Sequence, residues 1–123
     1  MGETATAIGE PPERFVKNIC MMTERGLVVA IVKGENRASL KRVAGVLDVE
    51  LPRLAYANEI IELTGYEYGG TPSWGFDAIF LVDPRVMEEP YVVTGGGKAT
   101  SLIKTTPEAI LQANQGTMVR IRK

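Results

Sequence analysis

The stretch FVKNICMMTERGLVVAIVK, residues 15–33, decides the fold class. It consists of two apolar, β-branched-rich runs, 15–22 and 27–33, joined by Thr23-Glu24-Arg25-Gly26. Both runs are too short for buried helices and carry the residue types that favour strands. The joining residues end in a glycine, which tolerates the positive φ that a tight turn needs. The stretch therefore reads as a β-hairpin.

Further elements are legible along the chain. In SLKRVAGVL, residues 39–47, Leu40, Val43, Ala44 and Leu47 recur at the i, i+3, i+4, i+7 spacing of an amphipathic helix. LPRLA, 51–55, is a short strand, and NEIIELT, 58–64, is a helix closed by Gly65. DAIFLVD, 77–83, and PYVVTG, 90–95, are strands separated by a polar connection, and SLIKT, 101–105, is another. Thr106 and Pro107 make an N-cap and first-turn pair for a helix running to about Asn114 and ended by Gly116. TMVRIR, 117–122, alternates like a half-exposed strand, and TATAIG, 4–9, reads as the last turns of a helix stopped by Pro11 and Pro12. The expectation is a single α/β (α+β) domain over 1–123. Its mixed, mostly antiparallel sheet has six to seven strands, flanked by helices.

Composition excludes several function classes. The chain has 123 residues, no histidine, one cysteine and a formal charge of −1. Without histidine there is no Ser-His-Asp or Cys-His catalysis and no His-containing zinc site, and one cysteine builds neither a thiolate metal site nor an internal disulfide. Chemistry here must rest on lysine, carboxylates, hydroxyls, backbone N–H groups or the substrate itself, with no cofactor or metal expected. No run approaches the ~20 apolar residues of a membrane helix, and MGETATAIGEPPE lacks the pattern of a signal peptide, so a soluble cytoplasmic protein is expected. The charge rules out a strongly basic coat and leaves room for a local basic patch.

Four places carry candidate chemistry. Lys17 shares its strand face with Phe15, Ile19 and Met21, so a charged amine falls among apolar neighbours. Either it marks a pocket or it lies at the sheet edge and reaches water. GYEYGGTPSWGF, 65–76, holds four glycines, a proline and four aromatics. It is a wall of exposed backbone N–H groups for a carbonyl or oxyanion, or a turn whose aromatics cover the core. Gly95, Gly96, Gly97 and Lys98 only loosely resemble a phosphate-cradling loop. Asp77, Asp83, Glu88 and Glu89 bracket a strand and read as solvated loop charges. Cys20, between Ile19 and Met21, reads as a core residue.

In sequence order these places resemble the YbaK/ProX family of aminoacyl-tRNA editing domains, related to the editing insertion of bacterial prolyl-tRNA synthetases. TATAIGEPPERFVKNICMM is similar to that family's alanine-rich helix, turn and strand, and places its lysine at Lys17. Ala55, EIIELTG, Gly69-Gly70, Pro72-Ser73-Trp74-Gly75, IFLVD and TGGGK follow in the family's order. The chain departs from the pattern in a shorter N-terminal part, in Asn18 where threonine is common, and in Tyr56 where a capping serine is expected.

The resemblance implies hydrolysis of the ester joining a wrongly attached amino acid to the 3′ end of a tRNA. It implies activation of water largely by the substrate's own ribose hydroxyl or side chain. Lys17 would hold the aminoacyl-adenosine end, and Gly69 and Gly70 would offer N–H groups to the carbonyl. Gly95, Gly96 and Gly97 would wall the amino-acid pocket, with Gly65, Thr71 and Pro72 beside them as substrate-binding positions. The implied partner is the acceptor end of aminoacyl-tRNA, with an aminoacyl-tRNA synthetase as a further one. The alternatives are a module that binds an aminoacyl-tRNA end or aminoacyl-adenosine-like ligand without cleaving it, and a structural or regulatory domain whose glycine loops only make turns.

Overall fold

A computed structural model describes residues 10–67, 70–98 and 101–123. The expected helix at 4–9 lies outside them. The hairpin of residues 15–33 is present as β1 (Val16–Thr23) and β2 (Gly26–Lys33), antiparallel from Val16↔Lys33 to Thr23↔Gly26. Its turn is closed at Gly26, φ 108°, while the Thr23 hydroxyl donates to Gly26 O at 3.0 Å and accepts from Arg25 N at 3.0 Å. Glycine is needed there because a Cβ would strain that φ.

Helix α1 (Leu40–Leu47) follows, capped by the Ser39 hydroxyl accepting from Arg42 N. Then come β3 (Arg53–Leu54), α2 (Ala57–Thr64), β4 (Ile79–Val82), the one-turn α3 (Pro84–Met87), β5 (Val92–Gly95), β6 (Leu102–Thr105), α4 (Pro107–Asn114) and β7 (Thr117–Met118). A 3₁₀ turn, Pro12–Arg14, precedes β1. The strands fall into two sheets: β3-β1-β2-β4-β7, and the pair β5-β6. The β1/β2, β1/β3 and β5/β6 pairs are antiparallel, whereas β2/β4 and β4/β7 are parallel.

β2 is the central strand, and Leu27 through Lys33 are all buried. Its two faces feed two apolar clusters. Val29 and Ile31 pack with Phe80, Val82, Ile60 and Ile110 under α2 and α4, while Val28, Ala30 and Val32 pack with Leu81, Val43 and Ile121 under α1. Each fully buried aliphatic side chain here contributes about 1.5–3 kcal/mol.

Several expectations are corrected. The strand expected over 51–55 is only Arg53–Leu54, both exposed, since Pro52 has no N–H for a ladder. The connection after β4 contains α3, with the Asp83 side chain accepting from Arg85 N as its cap and Pro84 opening the helix. α4 ends at Gln115, which takes the left-handed conformation expected of Gly116. The terminal strand is reduced to Thr117–Met118, although Ile121 is buried and Arg122 bridges Ala38.

Two carboxylates expected in solvent are not there. Asp83 is fully buried and accepts from Ile121 N at 3.0 Å, Arg122 N at 3.3 Å and the Arg122 guanidinium at 2.8 Å. Glu89 pairs with Arg14 and, at 2.7 Å, with the largely buried Lys33. Both tie chain segments together across the fold, and carboxylates withdrawn from solvent must be paired.

Candidate functional site

A cleft of about 420 Å³ opens where β1, β5 and the 70–75 loop converge. Its position follows from the sheet. β3 takes up the outer edge of β1 only at Met21 and Met22, and Ala55 N donates to Cys20 O at 2.9 Å just beyond. Toward the start of β1 the remaining contact of that edge among the described residues is a bridge from Phe15 to Val93. Gly34 N reaches Phe15 O on the β2 side, so alternation along the strand turns the Asn18 N–H and C=O outward, to the cleft.

Lys17 and Asn18 divide the strand between its two faces. The Lys17 side chain lies with Ile19 and Met21 on the α1 side, half-buried, and the residue borders the cleft along the edge of β1. No described carboxylate lies within ion-pair distance of it. As to the alternatives in the sequence, Lys17 lies on the part of β1 that β3 leaves at the sheet edge, and the cleft borders that edge.

The Asn18 side chain faces the other way and organises the floor. Its Nδ2 donates to Thr71 O at 2.8 Å and to Thr94 Oγ1 at 3.0 Å, and its Oδ1 accepts from Ser73 Oγ at 2.8 Å. Ser73 Oγ and Thr94 Oγ1 are 2.7 Å apart. Because the Ser73 proton goes to Asn18, the Thr94 proton goes to Ser73, and the three side chains form a closed ring. Ser73 and Thr94 are buried, and Asn114 Nδ2 donates to Ser73 O at 3.0 Å from below. This ring fixes the loop to both sheets. Apolar walls come from Ile60, Val93 and Leu102.

Of the residues singled out in the sequence, Lys17, Thr71 and Gly95 line the cleft, whereas Gly65, Gly70, Pro72, Gly96 and Gly97 do not. Gly69 lies outside the described residues. Gly65 caps α2 at φ 81°. The Gly70 N–H donates to Glu67 O at 3.0 Å, Gly96 N to Ser101 O at 2.8 Å and Gly97 N to Gly70 O at 2.8 Å. These amides are engaged within the protein. A Cβ on Gly95 would lie 2.5 Å from Thr71 O and 3.0 Å from Gly70 O, so the two glycine segments need glycine to pack against each other. Tyr66, Phe76 and Phe80 form a tilted aromatic chain with centroids 6.2 and 5.2 Å apart, and Trp74 and Phe76 pack on the core.

Cys20 also lines the cleft, but burial pushes its thiol up to about 11, so it is no nucleophile near neutrality. At the entry to α2, Arg53 clamps Glu59 with two hydrogen bonds of 2.9 and 2.7 Å, and Tyr56 N donates to the same carboxylate at 2.8 Å. Arg53 first and Tyr56 N second hold Glu59 down at about 2, which supplies the α2 entry that Tyr56 cannot cap with a serine hydroxyl. Asn18 is the residue that sequence reading undervalued. An amide on the same strand face as Val16, Cys20 and Met22 must find partners, and that requirement was the available signal.

A family model described as an aminoacyl-tRNA editing domain matches residues 1–113. The proline–tRNA ligase of Lactobacillus gasseri is 31% identical over 91 residues, which are 73% of this chain and 16% of that enzyme. That of Xanthomonas campestris pv. campestris is 39% identical over 70 residues, 54% of this chain and 12% of the enzyme. The chain therefore spans only a small fraction of these relatives. A solved structure provisionally named as a trans-editing enzyme for prolyl tRNA synthetase superposes with a TM-score of 0.88 at 26% identity, over 97% of this chain and 76% of that one. Among the described residues no helix is long and apolar enough to cross a membrane.

Proposed function

This chain belongs to the aminoacyl-tRNA editing domain family, and from that premise we propose that it is a deacylase acting in trans on mischarged tRNA. Water adds to the acyl carbon, the bond from that carbon to the ribose oxygen breaks, and the ribose oxygen takes a proton. The products are a free amino acid and an uncharged tRNA. The observation that carries this reading is the cleft itself: about 420 Å³, with a lysine on its border and a hydrogen-bonded polar floor between apolar walls. Its volume is in the range of small-ligand sites, ~300–1,000 Å³.

Lys17 holds the aminoacyl-adenosine end by charge-assisted hydrogen bonds. The Asn18 N–H, on the open edge of β1, donates to the carbonyl whose charge grows in the tetrahedral intermediate. Gly95 and Thr71 bound the amino-acid pocket. No histidine or thiolate is required, because the substrate's own 2′ or 3′ hydroxyl assists the water, and the protein supplies position and dipoles. A proline–tRNA ligase is the partner beside which such a domain would work.

A non-catalytic reading is favoured by one observation: the amides of Gly70, Gly96 and Gly97 are all engaged internally. The two readings separate in a deacylation assay across a full panel of charged tRNAs, with Lys17→Ala alongside. Release of amino acid from a restricted set, lost in the variant, supports the deacylase. Tight binding of the RNA end with no turnover on any charged tRNA overturns it.

A further inference from the structure

On the α1 side of Lys17 lies a second, wider groove of about 870 Å³. It shares Lys17, Ile19 and Leu54 with the cleft, so the two depressions meet along β1. Its rim is cationic, formed by Lys17, Arg37, Lys41, Arg42 and Lys123. Five of the chain's 14 basic side chains thus line it and none of the described acidic ones does, in a protein whose formal charge is −1. The clustering is therefore local and not a reflection of composition.

The fold assembles this rim deliberately. Lys123 N donates to Arg37 O at 2.8 Å and Ser39 N to Ile121 O at 2.7 Å, which lays the terminal segment against the entry to α1. Lys41 and Arg42 occupy the first turn of α1, which has no acidic residue, although the helix dipole disfavours cations there. Arg42 also faces Arg120, and mainly through that repulsion the Arg120 guanidinium is held below its usual value. No described carboxylate pairs with Arg37, Lys41, Arg42 or Arg120. Such an arrangement is self-repelling unless an anion occupies it.

The floor is apolar and open. Ile19, Leu40, Leu51 and Leu54 line it, with Leu51 62% and Leu54 57% exposed. A duplex would present phosphates to the rim and leave such a floor unused. A single strand can lay its bases on the floor and its phosphates on the rim.

We propose that this groove seats the single-stranded 3′ end of the RNA, with phosphates on Arg37, Lys41 and Arg42 and bases against Leu51 and Leu54, and directs its terminal nucleotide past Lys17 into the cleft. The inference rests on the deacylase reading for what occupies the cleft, while the RNA-binding claim can be tested separately.

The test uses the whole chain and a fluorescein-labelled 12-nucleotide single-stranded RNA ending in CCA, with binding followed by anisotropy from 50 to 200 mM salt. Wild type is compared with the triple variant Arg37→Gln/Lys41→Gln/Arg42→Gln, whose three sites are exposed and whose fold is checked by thermal melting. Loss of three phosphate contacts weakens binding on the order of tenfold and makes the log–log salt dependence shallower by about 2. Arg42→Lys alone, which keeps the charge, retains wild-type affinity. With charged tRNA and aminoacyl-adenosine as parallel substrates, the ratio of their kcat/KM values falls about tenfold in the triple variant. Equal affinity in wild type and triple variant, or a blunt-ended duplex binding as tightly as the single strand, overturns the proposal. RNA bound through these residues by a protein that hydrolyses nothing would sink the deacylase and leave the groove standing. Hydrolysis with an unchanged substrate ratio would do the reverse.

Discussion

Asn18 Nδ2 and Thr94 Oγ1, 76 positions apart in the chain, are 3.0 Å apart in the fold, and this contact joins the larger sheet to the smaller one at the floor of the cleft. Asn18→Ala removes the hub of the ring, leaving Thr71 O, Thr94 and Ser73 to find new partners in a buried place. The expected cost is about 1–3 kcal/mol per group left unsatisfied, read as a lower urea midpoint. Deacylation should fall more than stability does, because the outer edge of β1 loses its registration with the loop. Asn18→Thr, which keeps a donor and an acceptor with less reach, should recover part of both; a variant as stable and active as wild type would contradict the structural role assigned to the ring.

Lys17→Ala addresses a different link. The side chain is half-buried at a strand edge with no described ion-pair partner, so its loss should change stability within about ±0.5 kcal/mol. If it binds the acyl-adenosine end, kcat/KM should fall roughly 10- to 100-fold, the worth of a hydrogen bond to a charged group. Melting curves and initial rates on one mischarged tRNA separate the two effects. A large loss of stability would instead mark Lys17 as structural.

The two layers of this protein were legible in the sequence to different degrees. The β1–β2 hairpin and α1 follow from local periodicity, since apolar residues at spacings of two and of three to four state both the element and its buried face. The Thr106-Pro107 cap is recognisable in the same way, and Asp83-Pro84 carries the same signal for α3. Asp83 and Glu89 illustrate what sequence does not contain. Each is paired with partners 39 and 75 residues away, Arg122 and Arg14, and no local pattern distinguishes such a carboxylate from a solvated one. The cleft was legible only as a set of places. Lys17 stood out by its face, but the meeting of Gly95 with the Thr71 carbonyl is a tertiary contact that glycine content hints at and does not specify.

Gly95→Ala tests that contact. A methyl group there would lie 2.5 Å from the Thr71 carbonyl oxygen, and both are fixed to backbone that cannot swing aside. The 70–75 loop or β5 must shift, at a cost of about 1–3 kcal/mol. The shift opens the cleft wall, so activity should drop further than the melting temperature suggests. Gly45→Ala is the internal control: a Cβ at Gly45 meets nothing within 4 Å, and the exposed helical position should gain up to about 1 kcal/mol. Equal stabilities for the two variants would contradict the packing described for Gly95.

Cys20 gives a chemical test of what does not act in the cleft. With its thiol raised to about 11 by burial, only on the order of one molecule in a thousand carries a thiolate at pH 8. Iodoacetamide should therefore alkylate native protein far more slowly than urea-unfolded protein. Cys20→Ala should retain the Lys17-dependent activity, with a stability loss of about 1 kcal/mol for the small cavity. Rapid alkylation of the folded protein coupled to loss of activity would return Cys20 to the list of reacting groups.

Acid stability should report Asp83. Burial alone would raise its carboxyl, but hydrogen bonds from Arg85 N and Ile121 N, with those from Arg122, outweigh it and hold the group below the usual carboxylate range. A pKa that is lower folded than unfolded means the unfolded chain binds the proton more readily. The stabilisation is therefore fully present above the unfolded value, about 3.9, and is lost as pH falls through the folded one. Asp83→Asn removes the charge that Arg122 answers and should cost about 3 kcal/mol at pH 7, since one partner of a buried pair remains. In urea titrations the gap between wild type and Asp83→Asn should stay constant from pH 7 to about 5 and narrow below about 4. A gap that holds its full size down to pH 2 would mean that the Asp83 charge contributes nothing to anchoring the terminal segment against β4.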